Sequence, residues 1–81
     1  MNIKKIGAKI LENQIKEIKQ RIEKSKRQEK EYINLIKKTK EGNSKKQLIL
    51  YNKLLFNIRD NIILFYEDIE RKEKERRSYN V

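Results

Sequence analysis

Cysteine, histidine, proline and tryptophan are missing from this chain, and glycine occurs only twice. Each absence removes a class of fold or function. Without cysteine there are no disulfide staples and no thiolate nucleophile, and redox compartment leaves no trace. Without histidine the usual general base and the commonest zinc ligand are gone. Gly7 and Gly42 stand alone, so no glycine-rich phosphate loop can form. Ser25, Ser44 and Ser78 have no base to activate them. Acidic neighbours such as Glu29 and Glu31, or Glu73 and Glu75, do not share a helix face and are surrounded by Lys and Arg, which argues against metal or glycosidase chemistry. The expectation is a protein that binds and does not catalyse, with no catalytic residues, no metal and no cofactor.

Long apolar runs are also missing. The longest, residues 48–51 and 62–66, fall far short of a membrane span. Charge breaks the N-terminal sequence before a secretory apolar region can form. An intracellular, soluble, cytoplasmic protein is expected.

What the chain does contain is charge. Of its 81 residues 42% are charged and only 36% hydrophobic, and mean hydropathy is -1.04. A compact single-chain core is hard to build from that composition, because a small domain buries a modest fraction of its surface. Long helices sharing a narrow apolar seam avoid the difficulty. With proline absent, almost nothing interrupts a helix.

Apolar residues of the first half follow a heptad. One seam position holds Ala8, Ile15, Ile22, Glu29 and Ile36; the other holds Leu11, Ile18, Ser25, Tyr32 and Thr39. A second phase runs through Leu48, Tyr51, Leu55, Ile58, Ile62, Phe65 and Ile69. Alternating steps of three and four keep each set along one stripe of a helix. The break falls at residues 40–44, where Gly42 can take the left-handed conformation that ends a helix and Ser44 with Gln47 fits a capping box. The resulting fold class is all-α: an antiparallel hairpin of two long helices in one domain, residues 1–81. Helix 1 covers about residues 3–40, the turn 41–44, helix 2 about 45–77, and a fraying tail 78–81. Glu67–Arg71, Asp68–Lys72, Glu70–Lys74 and Glu73–Arg77 are acid-then-base pairs at i,i+4 and read as a solvated helix end.

Folding about Gly42 would set Ile36 near Ile49, Ile22 near Ile63, Ile15 near Glu70 and Leu11 near Lys74. The N-terminal stripe of Ile3, Ile6, Ile10, Leu11 and Ile15 then has no apolar partner in its own hairpin. Helix 2 has a surplus, a second stripe of Ile49, Phe56 and Ile63, broadened by Leu50, Leu54 and Leu64. These eight residues (Ile3, Ile6, Ile10, Leu11, Ile15, Ile49, Phe56 and Ile63) form the expected oligomer or partner interface. A homodimeric four-helix bundle would cover them. Two other solutions are a third helix, made by breaking helix 1 at residues 23–28, and an obligate complex with a different protein. Arg59 lies roughly opposite Glu29, and a buried pair fixing register is plausible.

Net charge is +10, with 22 Lys and Arg against 12 Asp and Glu. Residues 1–41 carry 13 basic and 6 acidic residues, and residues 42–81 carry 9 and 6. Beside the seam of helix 1 run Lys5, Lys9, Glu12, Lys16, Lys19, Glu23, Lys26, Lys30, Ile33, Lys37 and Lys40, a line dominated by lysine. The opposite flank is mixed. Lysines three or four residues apart lie about 5 Å apart along the axis. Such a row can track a phosphate backbone and release counterions, without reading sequence. The same line could be no more than the solvated side of a bundle, and AT-rich codons would favour Ile, Lys and Asn with no functional pressure. The tyrosines do not alternate with the lysines, and only Tyr79 looks free.

The leading expectation is a regulatory protein contacting RNA, DNA or a nucleoprotein complex through Lys5, Lys9, Lys16, Lys19, Lys26, Lys30, Lys37 and Lys40. The alternatives are a protein-interaction module, such as a phage-type inhibitor docking on a host defence nuclease, and an amphipathic helix on a membrane surface. The last is disfavoured because no aromatic residue precedes Tyr32 to anchor in the headgroup zone.

Overall fold

The computed structural model describes residues 3–42 and 44–79. It contains two helices, α1 (Ile3–Gly42) and α2 (Lys45–Ser78), packed along each other as a hairpin. The rod measures 63 × 14 × 13 Å. Helix α1 runs unbroken through residues 23–28, so no third helix forms among the described residues. Ser25 is the weakest helix former in that stretch, and its neighbours favour helix strongly. No helix among the described residues is long and apolar enough to cross a membrane.

The seam follows the heptad along its whole length. On α1, Leu11, Ile15, Ile18, Ile22 and Ile36 are buried, and Ala8, Ser25, Glu29, Tyr32 and Thr39 are half-buried. On α2, Leu55 and Ile62 are buried, and Leu48, Tyr51, Ile58, Phe65 and Ile69 are half-buried. Polar seam residues find local partners. The Thr39 hydroxyl donates to the Leu35 carbonyl at 2.7 Å, turning inward within its own helix. Tyr32 and Tyr51 meet across the seam with ring centroids 6.1 Å apart and planes tilted by 51°. The ring edge of one can thus approach the face of the other.

The outer half of the hairpin departs from the sequence expectation. Leu11 and Ile15 were expected to lack cover, yet both are buried, Ile15 to 4% exposure. The alternating steps of α2 continue past Ile69 to Lys72, Arg76 and Tyr79, all half-buried. Their aliphatic and aromatic parts cover the α1 stripe, while the charged ends of Lys72 and Arg76 reach outward to Asp68 and Glu12. The terminal stretch of α2 is therefore only partly a solvated helix. Of its four expected i,i+4 pairs, the structure shows Asp68–Lys72 at 3.2 Å, with Arg71 on the same carboxylate at 3.4 Å. The expected meetings of Ile36 with Ile49 and Ile22 with Ile63 also fail, since Ile49 and Ile63 point outward. Ile22 instead shares a groove with Tyr66 and Ile69.

The turn is tighter than expected. Glu41 and Gly42 extend α1, and Gly42 does not take the left-handed conformation. Ser44 occupies the N-cap of α2 with extended backbone, and its carbonyl accepts from the Leu48 amide at 3.1 Å. Its hydroxyl makes no cap hydrogen bond, so the capping box with Gln47 is not formed. Asn43 of the expected turn lies outside the described residues, as do Asn80 and Val81 of the expected tail. Ser78 closes α2, and Tyr79 packs against Gly7 instead of standing free, its ring carbons 3.1 Å from where a Cβ would stand.

Candidate nucleic-acid interface

All eight lysines of the row (Lys5, Lys9, Lys16, Lys19, Lys26, Lys30, Lys37 and Lys40) are exposed. They project from an unbroken helix, so they share one flank for its full length. Among the described residues, none of them has a carboxylate within 4 Å. Two acids beside the row are engaged across the hairpin. Glu12, within the row, pairs with Arg76 of α2 at 3.0 Å. Glu29, in the adjoining seam, pairs with Arg59 at 3.2 Å. These two cross-hairpin pairs use arginines of α2, and none of the eight lysines of the row takes part in them. No protein-family model, curated protein or solved structure matches the chain.

One contact fixes which edge of α2 borders this row. The Lys26 ammonium lies over the Tyr66 ring, 5.6 Å from its centroid, within cation–π range. The Tyr66 oxygen, by hydrogen bond and by charge, holds Lys26 above the usual lysine value; Glu29 and Glu23 add to the effect and slight desolvation by neighbouring atoms opposes it. Positions three and four apart are neighbours on a helix surface. Arg59 and Tyr66 therefore line the same border of α2, with Phe56 and Ile63 just beyond them. Sequence reasoning missed Arg59 and Tyr66 as members of this face. The signal was present, because in an antiparallel pair the positions that follow the seam on one helix neighbour the corresponding positions on the other.

The apolar candidates divide. Ile49, Phe56 and Ile63 are exposed to 69%, 64% and 56%, and Ile3, Ile6 and Ile10 are exposed as well. Leu11 and Ile15 are already covered by α2 and offer no free surface. Leu50 and Leu64 stand exposed next to the α2 stripe, whereas Leu54 is half-buried.

Proposed function

We propose that this chain is a small basic helical binding protein that holds nucleic acid, or a nucleoprotein complex, through the lysine row of α1. It acts by contact, with no cofactor and no catalytic step, in the cytoplasm and as a homodimer of helical hairpins. The supporting observation is the set of eight exposed lysines with no carboxylate partner among the described residues. If the row served only to solvate a helix, the nearby acids would be expected to pair along α1 at i,i+4 spacing. Glu12 and Glu29 reach across to Arg76 and Arg59 of α2 instead. The first turns of both helices contain no acid and do contain lysine, at the end where the helix dipole disfavours cations by about 0.3–1 kcal/mol. Helix stability alone does not favour that placement.

Backbone tracking does not distinguish RNA from DNA, and either duplex presents regularly spaced phosphates. Mobility shift with random-sequence duplex RNA and DNA across a salt series tests the proposal. Binding that weakens steeply with salt, and is abolished when Lys16, Lys19, Lys26 and Lys30 are changed to Glu, is the expected result. Binding that ignores these changes would overturn it.

A second reading rests on the exposed Ile49, Phe56 and Ile63, which a foreign protein such as a host nuclease could cover. A chain that stays monomeric and ignores both duplexes would favour that inhibitor-type function.

A further inference from the structure

We infer that two copies of this chain pair antiparallel through the outer face of α2, about a two-fold axis passing beside Phe56 and Asn57. This gives the homodimer proposed above a defined register.

The outer face of α2, opposite its seam, carries three exposed rows. The middle row is Lys46, Lys53, Asp60 and Glu67, two cations followed by two anions at seven-residue spacing. None of these four has an ion-pair partner among the described residues. An antiparallel copy centred beside Phe56 brings Lys53 to the partner's Asp60 and Lys46 to the partner's Glu67, and the reciprocal pairs follow by symmetry. A parallel copy in register would set lysine on lysine and acid on acid, which disfavours it.

The flanking rows obey the same centre. In an antiparallel pair related by a two-fold axis, each row meets its own counterpart. The row Ile49, Phe56, Ile63 reads the same in both directions, so Ile49 faces the partner's Ile63 and Phe56 faces the partner's Phe56. On the other side, Leu50 faces the partner's Leu64. A charge row that reverses sign about its centre, between an apolar row and the row Leu50, Asn57 and Leu64, both symmetric about that centre, is self-complementary in one arrangement.

Since this face lies opposite the seam, the four helices of the pair lie side by side, with the two copies of α2 in the middle. The two-fold axis runs perpendicular to that layer, so both copies show the same side. Resting on the nucleic-acid reading, this places both lysine rows on one face of the dimer, three helix spacings or about 24–30 Å apart.

Sedimentation of the full chain without nucleic acid tests the pairing alone, and the mobility shift tests the lysine row alone. The wild type is expected to be dimeric. Lys53→Glu and Asp60→Lys are each expected to raise the dimer dissociation constant at least tenfold, with helix content by circular dichroism unchanged. The Lys53→Glu/Asp60→Lys double variant restores opposite charges in the antiparallel register and should return to within about threefold of wild type. A wild type that is monomeric throughout, a dimer indifferent to the single changes, or a double variant no better than the singles would each overturn the inference.

Discussion

Glu29 occupies a seam position of α1 and turns its carboxylate out to Arg59 of α2, Oε2 to Nε, at 3.2 Å. Both side chains keep partial access to water, so this is not the buried pair the sequence allowed for. Partly exposed ion pairs contribute about 0–1 kcal/mol. A leucine at the same position would gain apolar contact in the seam, which for full burial is about 1.5–3 kcal/mol. Glu29→Leu is expected to raise stability by about 1 kcal/mol in urea unfolding, since burial there is incomplete. A loss of that size would show that the pair stabilises the hairpin beyond its surface value.

Tyr79 and Gly7 form the second test, at the open end of the hairpin. A Cβ on Gly7 would stand 3.1 Å from two ring carbons of Tyr79, tighter than ordinary contact. Alanine in a helix is favoured over glycine by about 0.8–1 kcal/mol. With Tyr79 present, the contact should offset much of that gain, so Gly7→Ala alone is expected to be close to neutral. In a Tyr79→Ala background the same change should stabilise by nearly the full propensity difference. Additive effects in the double-mutant cycle would mean that the ring is not held against the glycine.

The seam of both helices was legible in the sequence because its three-and-four stepping survives the polar residues Ser25, Glu29 and Thr39. Its continuation through Lys72, Arg76 and Tyr79 was not. Charged residues read as solvated when only their ends are considered, and the cover lies in their stems. That oversight turned Leu11 and Ile15 into interface candidates. The turn was placed within a few residues, but its capping chemistry was overestimated, because composition cannot show whether the Ser44 hydroxyl points at an amide. That the eight lysines stand exposed along one helix was legible. Arg59 was correctly set opposite Glu29, but that it and Tyr66 border the lysine row needed the rotation of α2 about its own axis, which pairing Ile22 with Ile63 misplaced.

Burial of Ile15 carries its own consequence. Ile15→Ala is expected to cost about 2–4 kcal/mol, whereas Ile10→Ala, at a nearby exposed site on the same helix, should stay within about 0.5 kcal/mol. Denaturant midpoints of the two variants measure the difference. Equal, small effects would place Ile15 outside the core.

Lys26 and Tyr66 give a pH dependence. Lys26 titrates above its ordinary value of 10.5 in the folded chain, chiefly because of the Tyr66 oxygen. A base whose folded value is raised stabilises fully below the unfolded value, and that contribution disappears as pH climbs through the folded one. Tyr66→Phe keeps the ring and removes the oxygen. It should therefore lower stability at neutral pH, with the gap to wild type closing above pH 10.5. Unfolding midpoints across that range provide the check, and a gap that stays constant would contradict the assignment.

The arrangement of charge on α1, as distinct from its amount, is the claim on which the functional reading depends. It is tested by moving charge without changing it. Lys19→Gln and Lys30→Gln empty two positions of the row, while Gln14→Lys and Gln28→Lys add two on the opposite flank and preserve the net charge of +10. Each phosphate contact on B-form DNA contributes about 0.9 to the slope of log affinity against log salt. Duplex binding by the rearranged chain should weaken, and its slope should become shallower by about 2 if both lysines touch the backbone. Affinity and slope equal to wild type would mean that total charge alone drives binding, and that the row on α1 is no more than the wet side of a helix.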